Sequence, residues 1–536
     1  MQSRLQTLAI LASIWGAFML PGCGQNEERP NILFIICDQL SPRAVGWTGQ
    51  TEVKTPNLDS LAESSYIFTN AYSASPRCAP ARHSIYTGVF PSRHWVIKND
   101  VEMNEEVPTI ISMLNDQGYT TANIGKMHNA PYHHRRDFQY VLNHEFFMDA
   151  AGISHYRPYL LQELRKRRLK YRRNENIPEG KTWLQVVRGI GQVNPLPEEI
   201  SAERWATREA LKFIDDQQAN RSDQPFFLHL SFFPPHHPYK PVAKYAEMYL
   251  KNADELELPP NFDFEKLQRW CNGRNTPESM TEDDVRFLRA LYFGFTTQLD
   301  AALGELFDGM RRRGLLENTI VVFTSDHGDN LGEHGQFFKL SMLEGSVGVP
   351  LLVHWPGHTV MGGKTIEDNV SHIDLVPTLL QAAGITPPEH MPGKNMLPLM
   401  AGKESWEDQP IWSEGYLGST EPDQLMLKKG DYKLVYERDI NSRKYSKSLH
   451  NIRTDPWELH DLAADPERKD VFEMYRSEAD AYLDGIRDYL PPEIPQAMPR
   501  VAYDMRWPAD PWTPVKIHPR HLKKETNGMI QTPSPK

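Results

Sequence analysis

Four predicted strands of this 536-residue chain end in side chains that can carry charge or transfer protons. The apolar run at residues 32–36 leads into Asp38 and Gln39. Three later runs, at residues 120–125, 225–233 and 319–324, lead into the other such side chains, which are Lys126, His128, His236, His237, Asp326 and His327. Because ligands of open parallel sheets bind beyond the carboxyl ends of the strands, we expect these side chains to share one face of a sheet.

Two carboxylates of this set, Asp38 and Asp326, are predicted to lie near the amide carbonyl of Gln39. Hard cations such as Ca²⁺ prefer oxygen ligands. The sequence has no cluster of Cys and His at the spacing typical of zinc sites. The residues therefore predict a site for a hard divalent cation, for which the imidazole of His327 is an unusual ligand.

A further candidate lies in the segment SPRCAPARHSIYTG at residues 75–88. Pro80 suits the first turn of a helix and Gly88 suits its end, which places Cys78 at the helix N-terminus. Unpaired backbone N–H groups and the helix dipole favour anions at that position, and Arg82 follows in the first turn. A thiol in such surroundings is acidic and reactive. The alternative is a buried cysteine with a structural role only.

The elements that must position these residues alternate between strands and helices. In addition to the four strands, the pattern predicts a helix that begins at Pro56, a strand at residues 349–355, and helices at residues 109–117, 299–313 and 373–383. Such alternation predicts an α/β fold, with a large, mostly parallel sheet sandwiched by helices.

The alternation of predicted strands and helices ends after Pro398. Residues 432–437 and 447–452 predict antiparallel strands, and a charged helix is predicted from about residue 467 to residue 489. We therefore predict a smaller C-terminal α+β subdomain with an antiparallel sheet.

Composition excludes several classes of protein. The 59 Lys and Arg against 70 Asp and Glu give a formal charge of −11, which argues against a nucleic-acid-binding protein. Four cysteines are too few for a disulfide framework. Cys37 and Cys271 have no assigned role. Core packing suits Cys37 best, and a disulfide between the two is the alternative. The basic run at residues 164–173 could bind a polyanion, but a solvated helix face is the more common role of such runs.

The N-terminus predicts export. Residues 1–22 combine Arg4 with a short apolar stretch, which is typical of a signal peptide and too short for a spanning helix. The end of this stretch, Leu20-Pro21-Gly22-Cys23, resembles the bacterial lipobox and predicts lipidation of Cys23. The alternative is plain cleavage that releases a periplasmic enzyme. We therefore expect a periplasmic protein or a lipoprotein of the outer membrane or cell surface of a bacterium, attached to the membrane only through the lipid.

The predicted organisation follows from these signals. It comprises a signal peptide at residues 1–22, a tether at 23–30, a catalytic domain at 31–404, a C-terminal subdomain at 405–490 and an extended tail at 491–536.

Cys78-Ala79-Pro80-Ala81-Arg82 matches the C-x-P-x-R signature of the type I sulfatases, members of the alkaline-phosphatase-like superfamily. The resemblance extends over about residues 30–490 through ordered motifs, which are PNILFIICDQ, TPNLDSLA, CAPARHSIYTG, IGKMH, PPHHP, TSDHGDNLGEHG and DPWELHDLAADP. It implies that a formylglycine-generating maturation enzyme oxidises Cys78 to Cα-formylglycine. It also implies that one hydroxyl of the hydrated aldehyde attacks sulfur and displaces the alcohol, which leaves a covalent sulfoenzyme intermediate. The second hydroxyl then loses its proton, and the intermediate collapses to the aldehyde and free sulfate.

The resemblance also implies roles for matching residues. Arg82 would hold the diol and the sulfate, and Lys126 would stabilise sulfate oxygens. His128 would be the base for collapse of the intermediate. His236, or His237 if the loop register shifts, would contact the sulfate or the leaving oxygen, and Lys339 would protonate or neutralise that oxygen.

The metal shell implied by the resemblance comprises Asp38, Gln39, modified Cys78, Asp326 and His327. Its cation in the family is usually Ca²⁺ and sometimes Mg²⁺. Two positions depart from the common pattern, since Gln39 stands where Asp is usual and Ala79 stands where Ser is usual. The neutral Gln39 removes one negative charge from the site, whereas Ala79 leaves the Cys, Pro and Arg of the signature intact.

The predicted substrate is a sulfated glycan or oligosaccharide, because an exported and anchored enzyme meets polymers at the cell surface. Candidate substrate contacts on the loops are His134, Arg135, His237 and Arg453, with a wider set of Arg43, Trp95, Lys98, Asn99, Tyr132, His133, Tyr239 and His450. Two alternative functions stay open. One is a phosphonate monoester hydrolase or phosphodiesterase of the same superfamily, and the other is a non-catalytic, glycan-binding lipoprotein.

Overall fold

The computed structural model describes residues 29–49, 52–99, 101, 103–128, 137–144, 155–168, 190–272, 279–358, 363–417, 420–439, 442 and 444–490. Several predictions fall on residues outside these ranges. They are the signal peptide, lipidation at Cys23, the substrate candidates Tyr132, His133, His134 and Arg135, residues 169–173 of the basic run, and the C-terminal tail.

Within the described residues, the strands form one sheet of eight and one sheet of four. The strands of the large sheet are β1 Asn31–Asp38, β2 Tyr66–Tyr72, β3 Thr120–Gly125, β4 Tyr140–Asn143, β5 Phe226–Pro235, β6 Thr319–Ser325, β7 Leu351–His354 and β8 Lys364–Ser371. Those of the small sheet are β9 Ile411–Gly415, β10 Gln424–Lys429, β11 Tyr432–Arg438 and β12 Tyr445–Asn451.

The helices of the first half of the chain are α1 Pro56–Ala62, α2 Cys78–Thr87, α3 Pro91–His94, α4 Ile110–Asp116, α5 Tyr156–Lys166, α6 Ala202–Asn220, α7 Ala243–Leu250 and α8 Phe264–Asn272. Those that follow are α9 Glu282–Arg312, α10 Glu344–Val347, α11 Leu375–Ala382, α12 Leu397–Met400 and α13 Lys469–Ile486.

The large sheet has the order β4-β3-β5-β1-β6-β7-β2-β8. β7 runs antiparallel to β6 and β2, and the other pairings are parallel. The small sheet is antiparallel throughout, in the order β12-β11-β10-β9. This arrangement confirms the predicted mostly parallel sheet and the predicted antiparallel C-terminal sheet.

The central strand β1 is buried on both faces. Leu33, Ile35 and Cys37 pack into one hydrophobic cluster, and Ile32, Phe34 and Ile36 pack into another on the opposite face. Successive side chains of a strand alternate between faces, so a continuous apolar run is what a sheet covered on both sides requires.

The helix predicted at residues 299–313 is the C-terminal part of α9, which begins at Glu282. Thr281 and Asp284 form a capping box that fixes this start. The prediction was too short because the first turns of α9 carry charged residues, such as Asp283 and Arg286, ahead of the apolar stretch. None of the described helices is both long and apolar enough to cross a membrane.

The carboxylate of Glu414 in β9 connects the small sheet to the larger part of the molecule. It is fully buried and accepts hydrogen bonds from Ser92 Oγ at 2.8 Å, Tyr416 Oη at 2.8 Å and Tyr482 Oη of α13 at 2.7 Å. A buried carboxylate needs such donors, since burial without partners is costly. Glu414 therefore fixes α13 against the segment around Ser92.

Removal of one donor to Glu414 should weaken this connection. We expect Tyr482→Phe to lower the free energy of unfolding by about 2 kcal/mol, because a hydrogen bond to a buried charge is lost. Tyr489→Phe is the matched control, since Tyr489 is half exposed and should change stability by less than about 0.5 kcal/mol. Urea unfolding of both variants measures the difference, and equal stabilities would contradict this role of Glu414.

Candidate active site

The four strands whose ends carry the candidate residues are direct neighbours, in the order β3-β5-β1-β6, and all are parallel. Their carboxyl ends therefore open on one edge of the sheet. Gly125 at the end of β3 has a φ of 108°, and a Cβ there would lie 1.9 Å from the carbonyl oxygen of Ser231. Only glycine allows this close approach, which directs the chain from β3 into Lys126.

Four ligand-type side chains converge beyond these strands. One atom from each of Asp38, Cys78, Asp326 and His327 lies within 4.8 Å of the others, and all four residues are buried. The Sγ of Cys78 lies 3.2 Å from Nε2 of His327 and 3.8 Å from Oδ1 of Asp38. We call these four residues the Cys78 cluster.

Cys78 is the first residue of α2, as the sequence predicts, and the helix ends at Gly88 with a φ of 68°. The preceding residue, Arg77, provides no side-chain cap for the helix. The N–H of Ala79 is instead bonded to Oδ1 of Asn99 at 3.2 Å. The thiol thus lies at the positive end of the helix dipole, where negative charge is stabilised.

Arg82 lies one helical turn after Cys78 and is fully buried. Its Nε donates to Asp326 Oδ2 at 2.8 Å, its Nη2 to Asp38 Oδ2 at 3.3 Å, and its Nη1 to Ser231 Oγ at 2.9 Å. One guanidinium therefore links the end of β1, the middle of β5 and the residue that follows β6 in a fixed arrangement, which its planar set of donors suits.

Two lysines and one histidine face the thiol. The Nζ of Lys339 lies 2.8 Å from Cys78 Sγ and 3.0 Å from Nε2 of His236. The Nζ of Lys126 forms an ion pair with Asp38 Oδ2. His236 also approaches Asp38, with 3.7 Å between its Nε2 and Oδ1. The structure therefore brings Lys126, His236 and Lys339 to the Cys78 cluster.

These charges outweigh the effect of burial on the thiol. Burial alone raises the pKa of Cys78, but the charges of Lys339, Lys126 and His327 and a hydrogen bond from His128 hold it well below its usual value. Burial also raises the pKa of Asp38, and Lys126, His236 and Lys339 bring it below its usual range. The site favours negative charge at both positions.

Gln39 has a positive φ of 68°, and its backbone N–H donates to Asp326 Oδ1 at 3.0 Å. Its side-chain amide donates to Asp329 Oδ2 at 2.5 Å and lies 3.2 Å from Nδ1 of His237. The ring of His237 stacks on His236, with 4.1 Å between the centroids. His236 is thus the histidine that faces the Cys78 cluster, and His237 lies behind it against Gln39.

Asp329 is a site residue that sequence reasoning missed. Its Oδ1 accepts hydrogen bonds from the N–H groups of Leu331 at 3.0 Å and Phe338 at 2.8 Å, and its Oδ2 accepts from Tyr239 at 2.6 Å. The Phe338 contact fixes the residue directly before Lys339. The signal that could have found Asp329 is its place in the motif TSDHGDN, next to the predicted ligands.

Several other predicted substrate residues contact protein groups. Arg43 stacks on the ring of Trp457 at 3.6 Å and pairs with Glu333 at 2.9 Å. Trp95 Nε1 donates to the carbonyl oxygen of Tyr489 at 2.8 Å, and Tyr239 is fully buried against Asp329. Arg453 pairs with Asp431 at 2.6 Å, His450 is buried on β12, and Lys98 is half-buried.

No disulfide bond joins Cys37 and Cys271 in the described structure. Cys37 packs in the core beside Leu33 and Ile35, as predicted, and burial raises its pKa well above the usual value.

The donor set of the Cys78 cluster fits a hard divalent cation. Asp38 and Asp326 provide buried carboxylate oxygens, which together with Cys78 and His327 lie close enough to share one ion. Buried carboxylates are costly unless a cation or donor compensates them. A cation held by Asp38 and Asp326 would provide such compensation, in addition to that from Arg82 and Lys126.

Comparisons with known proteins agree with this geometry. Residues 30–385 match the sulfatase family model, and residues 332–482 match the model of the N-sulphoglucosamine sulphohydrolase C-terminal region. The chain is similar to the choline-sulfatase of Rhizobium meliloti (strain 1021), with 30% identity over 454 residues that cover 82% of this chain and 83% of the relative.

Solved structures of low sequence identity share the fold. The phosphonate monoester hydrolase of Agrobacterium radiobacter superposes with a TM-score of 0.70 and 23% identity, over 86% of this chain and 96% of that chain. BT4656, in complex with its substrate D-glucosamine-2-N,6-O-disulfate, superposes with a TM-score of 0.65 and 19% identity, over 86% of this chain and 98% of that chain.

The family model covers residues 30–385 and includes every member of the Cys78 cluster together with Arg82, Lys126, His236 and Lys339. The C-terminal model extends the match across the small sheet. The chain belongs to the sulfatase family, and it is a sulfuric ester hydrolase.

Proposed function

We propose that this sulfatase hydrolyses a sulfate ester of a sulfated glycan or oligosaccharide through a formylglycine made from Cys78. The observation that carries the proposal is the position of the Cys78 thiol, 2.8 Å from Lys339 Nζ and within the cluster of candidate metal ligands. A structural cysteine needs neither a cationic neighbour nor converging carboxylates. A nucleophile that attacks an anionic ester needs positive charge around it, and it also needs a fixed orientation.

The proposed metal ligands are Asp38, Gln39, Asp326, His327 and the modified Cys78, with Ca²⁺ as the cation and Mg²⁺ as its substitute. When bound, the cation would neutralise negative charge on the sulfate and on the nucleophile. For Gln39 to be a ligand, its side-chain oxygen would have to face the cation while its nitrogen bonds Asp329. The oxygen-rich carboxylate pair supports Ca²⁺ over zinc.

The protein groups around Cys78 have separate proposed tasks. Arg82, held by Asp38 and Asp326, orients the diol of the formylglycine and the sulfate. Lys126 stabilises sulfate oxygens. His128, which hydrogen-bonds the Cys78 side chain, removes the proton of the remaining hydroxyl, and this loss restores the aldehyde. His236 and Lys339, 3.0 Å apart, act on the leaving oxygen, where a proton or a positive charge lowers the barrier.

Other features support the proposed export and the proposed glycan substrate. The apolar N-terminal stretch and the Cys23 motif support export to the periplasm or cell surface. The structural likeness to BT4656, whose substrate is a disulfated glucosamine, supports a sulfated sugar. We further propose that the catalytic domain spans residues 31–404 and that the C-terminal subdomain spans residues 405–490, which includes the small sheet and α13.

Mass spectrometry of the native protein tests the proposal directly. The peptide that carries Cys78, from protein made in its native host, should contain an aldehyde in place of the thiol. A thiol that remains alkylatable in most of the protein would contradict the proposed nucleophile. The non-catalytic alternative predicts that outcome, together with glycan binding and no sulfate release.

The phosphonate monoester hydrolase alternative is tested by two substrates in parallel. We expect faster turnover of an aryl sulfate than of an aryl phosphodiester, measured as kcat/KM on the same preparation. Both ester groups are tetrahedral anions that fit one site, so the two rates can be compared directly. A preference for the phosphodiester would favour the alternative.

Lys339 should affect the chemical step. We expect Lys339→Met to lower kcat by about 10²–10³-fold, because a preorganised cation beside the leaving oxygen is removed. The effect should shrink for an aryl sulfate with a strongly acidic leaving group, which needs little protonation. Lys394→Met is the control, since Lys394 bonds Gln409 in an exposed contact. An unchanged kcat in Lys339→Met would contradict this role.

A further inference from the structure

Lys339 lies on a loop that leads into α10, and residues 334–343 of this loop form neither helix nor strand. We call residues 334–344 the Lys339 loop. Phe338 and Leu340, on either side of the lysine, have φ values of 69° and 74°. Bulky L-residues rarely adopt this left-handed conformation, which persists only where the surrounding structure imposes it. The position of Lys339 therefore depends on contacts that the rest of the molecule makes with this loop.

Two consecutive residues that follow β12, Trp457 and Glu458, contact both ends of the Lys339 loop. At its start, Nε2 of His334 donates to the carbonyl oxygen of Trp457 at 3.2 Å. At its end, the backbone N–H of Glu344 donates to Oε2 of Glu458 at 2.8 Å. One short segment of the C-terminal region thus closes the loop that carries Lys339.

The contact at Glu344 is held by a buried ion-pair network. Nζ of Lys433 in β11 lies 2.8 Å from Oε1 of Glu344 and 2.7 Å from Oε1 of Glu458, and the lysine side chain is fully buried. Burial alone would lower the pKa of Lys433, but the two carboxylates raise it above its usual value, so the lysine stays charged. Without this shared cation the two carboxylates would repel each other and move apart.

Trp457 is also fixed by residues from the larger part of the molecule. The guanidinium of Arg43 stacks on its ring, with 3.6 Å to the centroid, and pairs with Glu333 at 2.9 Å. Nδ2 of Asn261 donates to the carbonyl oxygen of Trp457 at 2.8 Å, beside the contact from His334. A ring stacked on a guanidinium and a carbonyl oxygen with two donors hold a residue in one orientation. The Lys339 loop is therefore attached to a fixed support.

We propose that Lys433 and Glu458 are positioning residues for Lys339, through which the C-terminal region takes part in the chemical step. Their ion pair fixes Glu344, and with it the backbone path that keeps Lys339 Nζ 3.0 Å from His236 Nε2. The inference rests on the proposed function, in which His236 and Lys339 act on the leaving oxygen. A catalytic group misplaced by about 1 Å can cost about 10²-fold in rate, so a positioning defect is measurable.

The dependence of kcat on the leaving group distinguishes positioning from a general loss of folded protein, which would lower all rates by the same factor. Lys433→Met removes the shared cation and keeps a long side chain in its place. We expect it to lower kcat about 10–30-fold for phenyl sulfate, whose leaving oxygen needs a proton, and no more than about threefold for 4-nitrophenyl sulfate, whose leaving oxygen does not. Lys429→Met is the matched control and should leave both rates unchanged, because Lys429 of β10 pairs with Glu478 of α13 at 3.1 Å.

A double-mutant cycle assigns the effect to Lys339. With phenyl sulfate, Lys433→Met should add no more than about a twofold loss in the Lys339→Met background, since no ammonium is left to position. Glu458→Gln keeps the size of the side chain and an oxygen for the N–H of Glu344, but it weakens the ion pair with Lys433. It should lower kcat about threefold for phenyl sulfate alone, and it decides the test if Lys433→Met does not fold.

Three results would overturn the positioning role. They are an unchanged kcat for phenyl sulfate in the folded variants, an equal loss for both esters, and losses that multiply in full in the double variant. The Lys339→Met variant keeps this test separate from the proposed function. If Lys339→Met lowers kcat for phenyl sulfate whereas Lys433→Met and Glu458→Gln do not, the positioning role fails and the proposed function stands. If Lys339→Met keeps kcat, the role of Lys339 in the proposed function fails first.

Discussion

Cys78→Ala is expected to reduce sulfate ester hydrolysis by at least about 10⁴-fold, because the nucleophile is removed while the rest of the site remains. Cys78→Ser should be equally inactive when the cell has only the aerobic maturation enzyme, which acts on cysteine. A serine at this position would form a sulfate ester whose carbon carries no second hydroxyl, so no loss of a proton could form an aldehyde and break the C–O bond to sulfate. The measurement is kcat with an aryl sulfate. Mass spectrometry of the peptide that contains position 78 first establishes whether formylglycine is present in wild type and in each variant.

The matched control for Cys78→Ala is Cys271→Ala. Both residues are buried cysteines with 1% exposure, so the two changes remove the same chemical group from buried positions. Cys271 packs in the hydrophobic cluster beside Leu267, far along the chain from any candidate ligand. We expect Cys271→Ala to keep kcat within about threefold of wild type. Full activity in Cys78→Ala would remove the basis of the proposed mechanism.

The site could be predicted in large part because it is built at strand ends. The runs that lead into Asp38, Lys126, His236 and Asp326 are strongly apolar, and a strand buried on both faces needs such a run. Parallel strands then carry their following residues to one edge, whatever their order in the sheet. The sequence did not show that these four strands are direct neighbours, since the order depends on the packing of the helices between them.

Other parts of the structure lack a hydrophobic pattern in the sequence from which their position could be predicted. Lys339 lies on a loop, and its place beside Cys78 depends on Asp329, which fixes the N–H of Phe338. Only the family resemblance pointed to Lys339. The small sheet was predicted in part, from β11 and β12, because β9 and β10 contain charged or polar residues such as Glu414 and Gln424 at buried positions. Such residues interrupt the apolar pattern from which a buried strand is predicted, so the strand is recognised only when their partners are known.

Loop residues were the least predictable group, because a polar side chain on a loop can contact either substrate or protein. Asn99 bonds the N–H of Ala79 at the start of α2, and Arg43 stacks on Trp457. Both residues are of types that bind sulfated sugars, and the sequence does not show which contact they make. The same holds for Arg453, which pairs with Asp431.

Arg82→Met is expected to damage both the fold and the activity. The change leaves the carboxylates of Asp38 and Asp326 buried without their shared guanidinium, and breaking a buried ion pair by removing one partner costs about 3–5 kcal/mol. We also expect kcat to fall by about 10²–10³-fold or more in the protein that still folds, because a preorganised donor set for the sulfate is lost. The free energy of unfolding comes from urea titration, and kcat is measured at a temperature where the variant is folded.

Two further variants separate the structural and catalytic parts of this prediction. Arg82→Lys keeps the positive charge but lacks the planar fork that bonds Asp38, Asp326 and Ser231 at once, so it should recover stability more than activity. Arg476→Met is the control for loss of an arginine ion pair. Arg476 bonds Glu473 and Asp480 on the exposed face of α13, where water screens the charges, so this change should affect stability little. Equal destabilisation by Arg82→Met and Arg476→Met would contradict the view that one buried guanidinium holds β1, β5 and the residue after β6 together. Full activity in Arg82→Lys would show that charge alone, without the fixed orientation, is sufficient for the chemistry.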